Sequence, residues 1–314
     1  MRPHLYINKI LGEKLRRLTR GFGGVLSSGG SHRPIGGEPF LIDPYQTAQF
    51  IAGAIDQRKP FFAGRLGWLE ASAYAGFSSD GRLESDLLMR LRSNAGVFPA
   101  TMEQFQLFFE RYKDGLDSVD LLALINDSIQ RKIICDNPSD RRILCAVSSL
   151  ESYLHPYPWT QHLAGRRVLV VHPFAESIQS QYDNNRRSIF TNPNVLPKFE
   201  LKTLRPPQTV TTNDGGFESW AAALADLEMK VAAEEFDVAV IGCGAYGFPL
   251  GAHVKSLGKV AIHLGGAAQL LFGISGKRWN EWPVFRSVMT DAWRPPLKSE
   301  RPPGWEKIEG GCYW

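Results

Sequence analysis

After Gly165 the chain alternates between short β-branched runs and helical stretches, and this alternation restricts its fold more than any other feature. Arg167 to Val171 reads as a strand, Ala175 to Arg187 as a helix, Glu200 to Leu204 as a strand and Phe217 to Ala233 as a helix. The strand Asp237 to Ile241, a helix near Phe248 to Leu257 and the strand Lys259 to Leu264 continue the series. Strands separated by helices run parallel and are covered on both faces. The spacing therefore predicts an α/β fold, a Rossmann-like mostly parallel sheet with helices on both faces. In such sheets ligands bind outside the carboxyl ends of the strands, so the chemistry is sought there.

The N-terminal half reads differently. Residues 21–40 are rich in Gly and Ser, too polar and flexible to pack a core, and predict a linker. Residues 1–39 are thus expected to be an arm and linker, and 40–314 one α/β domain with its Rossmann-like half at about 165–280. Asp43-Pro44 is a helix start, with Asp as N-cap and Pro at the first helical position. Lys59-Pro60 ends that helix, and Phe61 to Gly64 forms a short buried strand. Glu84 to Gln130 reads as a helical insertion, with breaks at Asn94 to Pro99 and near Gly115. Arg131 to Leu150 takes no clear assignment, and His155-Pro156-Tyr157-Pro158 marks a loop.

Composition narrows the class. With 314 residues, 43% of them hydrophobic, the chain can bury a substantial core. Cys135, Cys145, Cys243 and Cys312 lie far apart and read as reduced thiols. No run of about 18 apolar residues offers a membrane span, and the N-terminus lacks the pattern of a signal peptide, so a cytoplasmic location is expected. The net charge of +4 is uneven: residues 1–34 carry seven Lys and Arg against Glu13 alone. Leu5, Ile7, Ile10, Leu11, Leu15 and Leu18 recur there at helical spacing. This pattern suits either peripheral contact with an anionic membrane or a solvated helix docked on its own domain. No nucleic-acid motif accompanies these cations, so no nucleic-acid partner is expected.

The clearest chemical signal is the buried strand running into Gly242-Cys243-Gly244-Ala245-Tyr246-Gly247. Glycines at such a turn let backbone N–H groups approach a phosphate, and the following helix N-terminus adds roughly half a positive charge. The string matches G-x-G-x-x-G, but the acidic residue that an NAD site wants about 20 positions on is replaced by the strand end His263-Leu264. Gly265-Gly266 forms a second glycine turn, and Lys277 and Arg278 follow. Two such turns with a basic pair suit a diphosphate; the cations equally suit solvated surface positions. His172 falls where a strand hands over to its helix and can act as a base, grip a phosphate or cap the strand end. Arg65 and Glu70 share another strand exit, where Arg suits phosphate and Glu suits a metal, a sugar hydroxyl or an acceptor proton. They also suit pairing with each other.

Arg65-Leu-Gly-Trp-Leu-Glu70 resembles the R-x-G-D-G-E loop of glycosyltransferases with the GT-D type fold. Ile241 through Gly266 is similar to their late glycine turn, helix and strand. The order of Asn94 to Pro99, His172 to Glu176, Ala261 to Gly266, Gly276 to Trp279 and Gly311 to Trp314 resembles bacterial proteins associated with surface polysaccharide synthesis. This resemblance spans most of residues 45–314 and implies transfer of a sugar from a nucleotide diphosphate sugar to a glycan or lipid-linked acceptor. It implies that the glycine turns receive the diphosphate and that Glu70 or His172 is the acceptor base. It also implies a divalent metal, Mn or Mg, on the acidic D-x-E pair. Here only Glu70 is kept, because Trp68 stands where the family has Asp; Arg65, Lys277 or Arg278 would then supply positive charge. The rival expectations are a non-catalytic nucleotide or sugar binding protein and an NAD(P)-dependent oxidoreductase.

Overall fold

The computed structural model describes residues 35–314 except 42, 82, 126 and 212. Eight strands form one sheet: β1 (Phe40–Leu41), β2 (Phe61–Arg65), β3 (Leu121–Leu124), β4 (Ile143–Ala146), β5 (Arg167–Val171), β6 (Glu200–Leu204), β7 (Val238–Ile241) and β8 (Val260–His263). Their order is β1-β4-β3-β2-β8-β7-β5-β6, and every neighbouring pair is parallel. The fold is therefore the α/β, Rossmann-like sheet that the alternation predicts.

Side chains alternate across this sheet into two apolar layers. Phe62, Leu122, Leu169, Ala239 and Ala261 join one core cluster, while Phe61, Leu121, Val168, Val240 and Ile262 join the other. The helices of nine residues or more, labelled in chain order, divide between them. On the first face lie α2 (Trp68–Asp80), α3 (Met102–Ser118), α4 (Ser128–Asp136), α6 (Trp220–Ala232) and α7 (Gly247–Ser256). On the second lie α1 (Pro44–Asp56) and α5 (Ala175–Ile189). Helix α1 begins as its sequence predicts: the Asp43 side chain accepts a hydrogen bond from the N–H of Tyr45 at 2.9 Å, with Pro44 opening the helix.

Three expectations change in the N-terminal half. The stretch expected to be a helical insertion contains β3, and the unassigned stretch contains β4. Both are four-residue strands; β3 is buried throughout, so it shows no polar alternation that would announce it. Gly115 does not break α3. It lies against the ring of Phe248, where a methyl group would come within 2.6 Å of Cδ1, and so lets α3 and α7 approach. Finally, the folded body reaches back past Phe40. Glu38 is buried and pairs with the equally buried Arg142, whose Nε donates to Oε2 at 2.7 Å. The expected amphipathic arm, residues 1–34, lies outside the described residues.

The connections leaving β5 and β7 set the position of the site. From β5 the chain crosses outward to β6, while from β7 it crosses the other way to β8. Where neighbouring connections diverge, the carboxyl ends of the strands open a crevice. His172 and Gly242 sit at that divergence, each one residue beyond the end of adjacent strands β5 and β7.

Candidate functional site

The carboxyl ends of β2, β3, β4, β5, β7 and β8 face a cavity of about 750 Å³. Arg65, Trp68 and Glu70 reach it from the exit of β2, Glu151 from beyond β4, and His172 from β5. Gly242 and Gly244 line it after β7, as do His263, Gly265 and Gly266 at the end of β8. The far wall is made by the last part of the chain, including Arg278, Glu309, Tyr313 and Trp314.

Arg65 closes β2 and Gly67 is the N-cap of α2, so Trp68 and Glu70 stand on the first turn of that helix. The Glu70 carboxylate folds back over Gly67: a Cβ at Gly67 would lie 2.1 Å from Oε2. Burial raises the Glu70 carboxyl above the ordinary range and Glu309 adds to this, against the hydrogen bond from its own N–H and the charge of Arg65. Arg65 forms no ion pair within 4.0 Å among the described residues, so the expected Arg65–Glu70 pairing is looser than a salt bridge. Trp68 is 49% exposed, with the guanidinium of Arg90 5.3 Å from its ring centre. The side chain is among those lining the cavity.

His172 is buried, and its Nδ1 accepts the N–H of Phe174 at 3.0 Å. Burial pulls its pKa down to about 3, so the ring is neutral and carries its proton on Nε2. In that form it offers a donor to an anion. His263 is likewise buried and depressed to about 3, with Nδ1 lacking a hydrogen-bond partner.

The glycines do unequal work. Gly244 and Gly265 take the left-handed conformation, each with φ of +58°, and no atom lies within 3.4 Å of where a side chain would begin. These two leave backbone open towards the cavity. Gly242, Gly247 and Gly266 are instead packing positions. A methyl on Gly242 would lie 2.8 Å from Cδ2 of His172, and one on Gly266 would lie 2.4 Å from the ring of Tyr313.

The structure separates three further sequence candidates, Tyr246, Gly247 and Lys277, from the cavity and weakens a fourth, Arg278, as a cation. Tyr246 turns into the core, stacks on Trp220 and shares a 2.6 Å hydrogen bond with Thr209. Gly247 supports the His263 ring beside it. Neither lines the cavity. Lys277 is exposed and also stays outside the lining; its N–H donates to the carbonyl of Trp314. Arg278 does line the cavity, but it pairs with Glu309 and lies over the Tyr313 ring, so its charge is already matched. Arg65 is left as the cation nearest the carboxylates.

Glu151 is the residue that sequence reasoning missed. It is 9% exposed, lines the cavity and has a pKa pushed up to about 7 by burial, against the pull of Arg65. The signal that finds it is a strand end, and β4 was not legible as a strand. Among the described residues no three His, Cys, Asp or Glu side chains converge as a metal site requires, and no helix is long and apolar enough to cross a membrane.

No family model matches this chain, and no curated protein does. Among solved structures, the chain is similar to a selenomethionine-substituted structure of a domain of unknown function, DUF1792. The two are 13% identical; the match covers 82% of this chain and 96% of that one, with a TM-score of 0.35. At that score the likeness carries no argument about activity, and the site must be interpreted from its own groups.

Proposed function

We propose that this protein transfers a sugar from a nucleotide diphosphate sugar to a glycan or lipid-linked acceptor in surface polysaccharide biosynthesis. The observation that carries this reading is the grouping of Arg65, the open backbone at Gly244 and Gly265, and the carboxylates of Glu70 and Glu151 around one cavity at the strand ends. A diphosphate leaving group needs positive charge and N–H donors, and an acceptor hydroxyl needs a base. The loop Arg65 to Glu70, with its resemblance to the R-x-G-D-G-E motif, points the same way. Trp68 offers a stacking face for a base or sugar.

The described donors do not fit a divalent ion. Trp68 stands at the acidic position, Glu70 is folded onto its own helix start, and no third ligand converges. In this proposal charge on the diphosphate is met by Arg65 and backbone N–H groups, with His172 as a further donor. The basic arm would hold the protein at the inner membrane face, close to a lipid-linked acceptor. Replacing Arg16, Arg17 and Arg20 by Glu should then release the full chain from anionic liposomes; unchanged co-sedimentation rejects that contact.

The test of the transferase reading is a thermal-shift screen with nucleotide diphosphates, nucleotide sugars and NAD(P), with and without Mn²⁺. A shift with one nucleotide sugar, followed by release of its diphosphate, is the expected outcome. A shift without turnover would favour the non-catalytic binding protein, a reading that the Trp68 replacement supports. A shift with NAD(P) alone would return the oxidoreductase.

A further inference from the structure

Glu151 sits in the turn between the short helices Val147–Leu150 and Ser152–Leu154, just beyond the carboxyl end of β4. Nine-tenths of it is buried, its side chain has no hydrogen bond or ion pair among the described residues, and it lines the cavity. Burying a carboxylate without a partner is costly, so such a group is retained where something else meets it. The charge acting on it is the Arg65 guanidinium from β2.

The other two candidates for a base are engaged elsewhere. Glu70 is folded back over Gly67, on the first turn of α2. The Nδ1 lone pair of His172 is occupied by Phe174, which leaves Nε2 protonated and unable to accept.

We propose that Glu151 is the general base of the transfer, taking the proton of the acceptor hydroxyl as its oxygen attacks the anomeric carbon of the bound nucleotide sugar. This inference rests on the transferase reading. The oxygen–carbon bond to the acceptor forms as the bond from the anomeric carbon to the β-phosphate oxygen breaks. The electron pair of that broken bond leaves with the nucleoside diphosphate, beside Arg65, and the proton ends on the Glu151 carboxylate. With a base and no covalent intermediate, one displacement inverts the anomeric centre. A carboxyl near pKa 7 is poised for this, since much of it is ionised at neutral pH.

The experiment uses the full chain with UDP-glucose, UDP-N-acetylglucosamine, UDP-galactose and GDP-mannose. Calorimetry measures binding, and release of UDP or GDP with water as acceptor measures turnover. Glu151→Gln should bind the same nucleotide sugar within about threefold while turnover falls by roughly 10²- to 10⁴-fold. Wild-type turnover should rise with pH through about 7, the residual rate of Glu151→Gln should not, and Glu151→Asp should recover part of the loss. The freed sugar should first appear with inverted configuration by NMR. Full turnover in both Glu151→Gln and Glu151→Asp, or a retained configuration, overturns the assignment of Glu151 and leaves the transferase reading standing. Failure of the wild-type chain to bind or turn over any of the four defeats the transferase reading for these donors, and the assignment of Glu151 with it.

Discussion

At Gly247 a methyl group would lie 2.5 Å from Nε2 of His263, a buried ring with little room to retreat. Gly247→Ala should therefore lower the urea unfolding free energy by about 1–3 kcal/mol, as overpacking does. Gly244→Ala meets no such wall but forces alanine into a left-handed backbone, costing about 1–2 kcal/mol. The informative contrast is in ligand binding: Gly244→Ala should weaken nucleotide binding beyond any change from Gly247→Ala, measured by calorimetry on folded protein. Trp68 makes a cleaner probe because it is half exposed. Trp68→Ala should change stability by less than about 0.5 kcal/mol and weaken binding by about 1–3 kcal/mol if the ring stacks on the base. An unchanged dissociation constant removes Trp68 from the site.

Arg142 joins elements that the sequence reading kept apart. Its guanidinium donates to Glu38, to the carbonyl of Leu116 at 3.0 Å and to that of Asn137 at 2.6 Å, tying the segment before β1 to α3 and α4. Arg142→Ala leaves the Glu38 carboxylate buried without its counter-ion, with only the N–H of Ser139 donating to it, and should cost about 3–5 kcal/mol in urea unfolding. Nothing in the local pattern around Glu38 distinguishes it from the glycine-rich linker it follows; its partner is over one hundred positions away. The same limit governs the strands. β5, β7 and β8 are legible because apolar, β-branched runs are bounded by glycine turns and helical stretches. The four-residue run Leu121–Leu124 follows a long amphipathic helix after only two residues, and periodicity over so short a run cannot separate strand from helix. The cavity lining was legible where a strand was: Arg65, Glu70, His172, Gly244 and Gly265 all belong to it. Tyr246 and Gly247 matched a string in which Gly242 and Gly247 serve packing and Gly244 alone leaves open backbone, and Glu151 stayed hidden behind β4.

For the molecule as a whole, stability should respond to pH in opposite senses through two kinds of buried group. The Glu151 carboxyl is raised in the folded state from 4.5 to about 7. The folded chain therefore binds the extra proton between these values, and stability falls as pH rises through them, by about 3 kcal/mol. His172 and His263 are depressed from 6.5 to about 3, so the unfolded chain binds the extra protons and stability falls as pH drops below 6.5. Urea unfolding at several pH values checks both: Glu151→Gln should be more stable than wild type at about pH 8 and lose that advantage at about pH 5. The sheet order has another consequence, for the chain as it is made. β2 lies at the centre, yet its partner on one side is the last strand: Phe61 pairs with Val260 and Ala63 with Ile262. A nascent chain must hold that central edge, with its apolar neighbours, unpaired until most of its length has emerged. It is then open to pairing with another chain. A ribosome-bound chain halted before Val260 should accordingly be a client of chaperones, and one extended past His263 should be free of them.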